Sequence, residues 1–292
     1  MKKIFKRKIK WSSVLIVAII FIWTLLILYP FYNVVMTSFM TQKEYIKSGF
    51  KLIPKEITLD AYKQVFANKR IYTGYKSTFL IVLLGVPYNM FLTVTLAYAL
   101  SKKRFPGKKF FEYFVIFTMY FSGGTIPCYL LIKELGLMGS LGSVILESGV
   151  SVYYMILIRN YFMGIPESLE EAAKLDGAND LTIMLKIHLP MSTPILATFF
   201  LFFLVDRWNT WYSAMLYLTD AAKWPLQLVL RDIVSVATGT DATMMHMLNL
   251  KENFGLGVQM ASVVVTMAPI MIAFPFLQKY FIQGMSVGAV KE

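Results

Sequence analysis

Charge is scarce in this 292-residue chain: Asp, Glu, Lys and Arg make up 16% of it, against roughly 25% in soluble domains. Cysteine is scarcer still. Cys128 stands alone, so no disulfide can form within the chain and the redox compartment cannot be read from it. The two histidines, His188 and His246, lie far apart and belong to no HExxH or Cys/His cluster, which excludes a metal site of the zinc type. No GxxxxGK[ST] phosphate loop occurs, so the chain is not built to hydrolyse ATP itself. With no catalytic constellation to assign, the expectation is a protein that is not an enzyme and carries no cofactor of its own.

What the chain has in excess is apolar surface, 57% of its residues. Four runs lack any charge, Trp11–Gln42, Ser77–Ser101, Tyr113–Ile132 and Asn253–Gln278, and each reaches the roughly 20 residues that a bilayer span needs. Two more, Leu135–Ile158 and Leu189–Val205, are interrupted by Glu147 or end at Asp206-Arg207. The fold class that follows is all-α and polytopic, with six transmembrane helices. They are expected over about 12–34, 77–100, 110–132, 142–163, 188–210 and 256–280. No repeat or Pro/Ser-rich linker divides the chain, so a single domain over 1–292 is expected. The first apolar run is longer than a signal peptide's and lacks a small-residue cleavage site before Tyr29-Pro30, which makes it an anchor.

The net charge of +12 is not a nucleic-acid signature. Its basic residues gather at membrane edges: Lys2, Lys3, Lys6, Arg7, Lys8 and Lys10 before the first span, and Lys102, Lys103, Arg104, Lys108 and Lys109 between the second and third. The positive-inside rule puts both groups, and with six spans both termini, in the cytoplasm. The outer connections are then about 36–75 and 211–255, the first with a helical stretch around Leu59-Asp60-Ala61-Tyr62 and the second with one after Trp224-Pro225.

Between the fourth and fifth spans lies a polar insert, Glu167 to Pro190. Ser168 and Glu171 have the spacing of a capping box at a helix start. Gly177 suits a left-handed helix end, Asn179 or Asp180 can cap a second helix, and Pro190 suits the opening of the next long one. The physics alone allows an ordinary capped connector or a compact knob for a partner. Glu170-Glu171 reads as helix-dipole and interface charge rather than an acid/base pair, and His188 as a satisfied interfacial side chain. The spacing of Glu171-Ala172-Ala173, Gly177, Ile187, Leu189 and Pro190 is more specific. It resembles the EAA coupling motif of the membrane subunits of ATP-driven importers at all its fixed positions.

Polar residues at membrane depth are costly and often functional. Asn89 lies beside Pro87 in the second span, Tyr153 in the fourth, and Asp206, Arg207, Trp208, Asn209 and Tyr212 cluster at the end of the fifth. Asp206-Arg207 reads either as a structural ion pair or as an interfacial anchor. Aromatic faces beside amides suit sugars, so Trp208, Asn209, Tyr212, Tyr153 and Asn89 are the candidates for lining a substrate path.

From the second span to the C-terminus the chain is similar to the permease subunits of carbohydrate importers, resembling the smaller maltose-system permease. Residues 165–198 carry this most strongly, including Leu175-Asp176-Gly177-Ala178, with Trp208-Asn209 and the tail from Gln278 to Lys291 in support. Leu226 to Arg231 resembles, more loosely, the permeases of the lipoprotein-linked complex-oligosaccharide group. The resemblance implies a multi-pass protein of the bacterial cytoplasmic membrane, surrounded by lipid and paired with a second, homologous permease in a heterodimer. It also implies two ATPase subunits that bind ATP and Mg, and an extracytoplasmic solute-binding protein. It assigns coupling to Glu171, Ala172, Ala173, Asp176, Gly177, Ile187, Leu189 and Pro190, and ATPase docking to the tail at Gly284, Met285 and Gly288. A permease for a non-sugar solute and a membrane sensor or assembly factor on the same fold are the alternatives.

Overall fold

The computed structural model describes residues 11–48, 52–237 and 255–289. They fall into two compact units, Met1–Asn68 with Ile233–Thr266, and Lys69–Asp232 with Met267–Glu292. Lys2 to Lys10, Lys51, His246 and the last three residues lie outside the described residues.

In the first unit, α1 (Trp11–Ser38) is a long apolar helix whose side chains from Leu15 to Tyr32 are exposed almost all round, as lipid contact requires. The segment after it is folded. Thr58 N–H donates to Phe39 O at 2.9 Å, and Met40 bridges Ile57. The carboxylate of Glu44, on α2 (Gln42–Ser48), accepts from the backbone N–H groups of Lys55 and Glu56 at 2.9 and 3.2 Å. The expected helix around Asp60 is α3 (Asp60–Ala67), and Tyr62 on it meets Ser38 Oγ at 2.8 Å.

The second unit is built on α4 (Lys69–Ser101), against which α8 (Val152–Met163) and α12 (Thr193–Trp208) pack. Val94, Ala97, Tyr98, Met155, Ile158, Phe162 and Phe199 form their shared core. Close approach depends on small residues where helices of a bilayer meet. A Cβ on Gly85 would lie 2.9 Å from Arg207 Nε, so this glycine makes the room that Arg207 occupies.

Three expected spans are bent. The third run is two helices, α5 (Lys108–Tyr120) and α6 (Thr125–Glu134), meeting at 110°. Ser122-Gly123-Gly124, with φ +91° at Gly124, breaks the run although no charge does. The fourth is α7 (Leu141–Glu147) and α8, at 49°. Ahead of the fifth run the insert folds as α9 (Glu167–Leu175), and the bent pair begins at Asp180, with α10 (Asp180–Ile183), a π-helical turn Met184–His188 and α11 (Leu189–Met191). It then turns by 84° into α12, which holds its apolar residues. Pro190 therefore does not open the long helix: it lies in α11, and Pro194 takes the first turn of α12. α13 (Tyr212–Tyr217), α14 (Leu226–Ala237) and α15 (Gly255–Ala289) complete the order. The backbone of α15 stays helical through Gly284 and Gly288, past the expected end near 280.

Candidate functional site

The insert at 165–190 is the knob that its residues predict, by somewhat different means. The capping box does not form: α9 starts at Glu167 behind Pro166, with no side-chain cap, because proline already sets the backbone for a helix start. Gly177 does end the helix in the left-handed region, at φ +82°. Asn179 caps α10, its side chain accepting from Thr182 N–H at 2.8 Å. Glu171, Ala172, Asp176, Gly177 and Pro190 are exposed, while Ala173, Ile187 and Leu189 are half-buried. Leu175 at the knob's tip is 90% exposed and Leu181 61%.

The knob is held to α4 by charge. Lys102 Nζ lies 2.7 Å from Glu170 Oε2, and His188 Nε2 is 2.7 Å from Glu170 Oε1. His188 is almost wholly buried, edge-on to the rings of Tyr98 and Phe162. With Nε2–H donated to the carboxylate, Nδ1 has no partner, which suits the neutral imidazole. Burial is the main reason why the His188 pKa falls below its usual value, against the pull of Glu170. Burial alone would raise that of Glu170, but the facing Lys102 ammonium and the hydrogen bond from His188 outweigh it and hold the carboxyl below the usual range. Lys103 also pairs with Glu167, and Arg159 with Glu112. Sequence reasoning missed all of these pairs except the interfacial state of His188, because partners so far apart in the chain leave no local pattern.

The substrate-lining candidates separate. Asn89 is buried, its amide nitrogen donating to Ser148 O and, at 2.8 Å, to Gly149 O. Its Oδ1 accepts from Arg207 Nε at 2.7 Å, which commits the whole side chain to structure. Arg207 does not pair with Asp206. It is buried and donates to Val144 O, Ile145 O and Ser148 O at 2.9, 2.8 and 3.0 Å, gripping the last turn of α7. Asp206 faces elsewhere and accepts from Tyr154 OH at 3.0 Å, beside an apolar pocket of about 210 Å³ lined by Leu201, Phe202, Ile270 and Phe274. Trp208 is buried, whereas Asn209, Tyr212 and Tyr153 are exposed. Near Asn209 the structure adds residues that the sequence did not single out. Gln227 donates to Asn209 Oδ1 at 3.3 Å, and the exposed Arg231 lies 3.9 Å over the Trp211 ring. Among the described residues, no group of His, Cys, Asp and Glu is placed to hold a metal ion.

An all-helical chain with bilayer-length apolar helices and an acidic, exposed knob is a polytopic membrane protein, and the comparisons with known proteins give its class. No family model matches the chain. It is 40% identical over 279 residues to the polygalacturonan/rhamnogalacturonan transport system permease YtcP of Bacillus subtilis, covering 96% of this chain and 98% of that protein. It is also 40% identical to the protein LplC of B. subtilis, over 90% of this chain and 88% of that one. Among solved structures, it superposes with a TM-score of 0.85 and 32% identity on a chain of a bacterial ABC transporter involved in the import of the acidic polysaccharide alginate. That match covers 94% of this chain and 100% of the other. The chain belongs to the carbohydrate permeases of ABC importers, on the side of the smaller maltose-system permease. It is a multi-pass subunit of the cytoplasmic membrane in a binding-protein-dependent importer of saccharides, and not an enzyme.

Proposed function

We propose that the 165–190 knob is where this permease receives the work of ATP hydrolysis from partner ATPase subunits, which bind ATP and Mg. The observation that carries this is the set of exposed leucines, Leu169, Leu175, Leu181 and Leu185, on a knob closed by Gly177. Apolar side chains exposed together and rimmed by polar ones suit a contact with another protein. Glu171, Ala172, Ala173 and Asp176 flank the tip, and Ile187, Leu189 and Pro190 form its base. In this reading a second permease subunit completes the path as a heterodimer, and both termini face the cytoplasm. The end of the chain, with Gly284, Met285 and Gly288, docks between the ATPases. Co-purification tests the knob: Leu175→Asp should abolish recovery of the ATPase with the permease while membrane insertion persists. Full recovery and normal uptake would overturn it. Topology is tested by Arg104→Cys and Ser168→Cys in a Cys128→Ala background. Both should resist an impermeant thiol reagent until cells are opened; Ser101 is too buried to serve.

The saccharide we propose is an oligosaccharide bearing acidic units. Two of the relatives are named for polygalacturonan/rhamnogalacturonan and for alginate transport. On this chain, Arg231 offers an exposed guanidinium over Trp211, next to Asn209 and Tyr212, a combination suited to a carboxylate on a sugar ring. Uptake of oligogalacturonate but not of its methyl ester would support this, and equal uptake of the two would overturn it.

A further inference from the structure

We propose that Lys102, Glu170 and His188 form a latch that ties the coupling knob to the Ser101 end of α4, so that displacement of the knob moves that span. This rests on the reading of the knob as the point of ATPase attachment. α9 buries none of its own residues, so apolar packing does not fix it in place. What fixes it is polar. Both oxygens of Glu170 are engaged, one by Lys102 and the other by His188. Lys102 is in turn seated 4.2 Å over the Tyr98 ring, one turn back on α4. Tyr98 OH donates to Asp180 O at 2.8 Å, which attaches α10 to the same turn. Tyr98 on the last turn of α4 and Lys102 directly after it thus hold both short helices of the knob from one helix end. The π-helical turn closes the circle: Leu189 N–H reaches back to Met184 O, and His188, the last residue of the turn, faces Glu170. Since α8 and α12 both pack on α4, a pull on its end reaches the bundle. The His188 hydrogen bond to Glu170 holds direction as well as distance, so the latch transmits rotation where a greasy contact would slip.

The test uses the full complex of permeases, ATPase and binding protein in proteoliposomes, with saccharide uptake per ATP hydrolysed as the readout. Lys102→Glu and Glu170→Lys should each lower that ratio roughly tenfold, within the ~5–150-fold range of a coupling between two sites. ATPase subunits should still co-purify. Combining the two reversals should bring the ratio back to within about threefold of the parent, because the opposite charges face each other again. If a reversal fails to accumulate, Glu170→Gln, which keeps the shape and loses the charge, decides by the same ratio at unchanged thermal stability. His188→Gln, which retains a donor, should rescue what His188→Leu loses. An unchanged ratio in folded single variants, or a double variant no better than the singles, would overturn the latch. A parent complex that retains no ATPase would instead overturn the coupling reading beneath it.

Discussion

Two cations, the half-buried Lys102 just past the end of α4 and the buried Arg207 on α12, are neutralised in opposite ways. At the Ser101 end, Lys102 meets a carboxylate that is shared with a neutral histidine. Midway along α4, Arg207 meets no carboxylate, only three carbonyls at the end of α7 and the Asn89 amide. The second arrangement uses the negative end of a helix dipole and a fixed fork of donors. No proton can be lost from it within the physiological range, and its acceptors are backbone. The first depends on two side chains that titrate. One site is a rivet and the other a joint that can be opened, which suits a subunit that must keep its bundle while its knob is pushed.

The sharpest break of this comparison is at the rivet. Arg207→Met should take the donor from Asn89 Oδ1 and from the Val144 and Ile145 carbonyls, at ~1–3 kcal/mol for each buried group left unpaired, while Ser148 O keeps its bond from Asn89. The permease should then fail to accumulate or lose its thermal transition in detergent, and Arg207→Lys should recover only part, since an ammonium cannot reproduce the fork. Next is Gly177→Leu, whose cost to folding is confined to the backbone, about 1–2 kcal/mol for a left-handed L-residue, because no atom lies within 4 Å of a Cβ there. Insertion should survive and uptake should be lost, as measured by labelled saccharide at matched expression.

A smaller effect comes from pH at the joint. Glu170 and His188 both have folded pKa values below their unfolded ones, with Lys102 the charged group facing them. Their stabilisation is full above the unfolded values and is lost as pH falls through the folded ones. Melting temperature should therefore drop from about pH 6.5 downward, and Glu170→Gln with His188→Gln should flatten that profile. A profile unchanged by the double variant would remove the joint's titration. Smallest of all is Lys103→Ala. Its pair with Glu167 is 75% and 54% exposed, so solvent screens it and the melting temperature should not move measurably.

Much of this was legible in the residues. Charge-free runs located the long helices α1, α4 and α15, and the reach of Gly177 into positive φ and the cap by Asn179 follow from local chemistry alone. The break at Ser122–Gly124 was not, because a run without charge looks continuous whether or not its backbone is. Asn89 was read as a candidate sugar contact for want of any sign of Arg207, which lies far along the chain. The capping box failed since Pro166 had already set the helix start. The pairs of Lys102 with Glu170 and of Arg159 with Glu112 were invisible for the same reason as Arg207: tertiary partners have no period.

The π-helical turn at Met184–His188 also bears on how the motif should be counted. A π turn takes in one residue more than the α-helix around it needs. The nine residues between Gly177 and Ile187 therefore measure a wound path with a surplus link, not a straight rod. Deleting a single residue there would not just shorten the knob. It would let the turn relax to ordinary winding and keep the later side chains near their bearing, whereas adding one would swing His188 about the axis, away from Glu170. The interval works as a screw thread, whose pitch sets where the histidine stops.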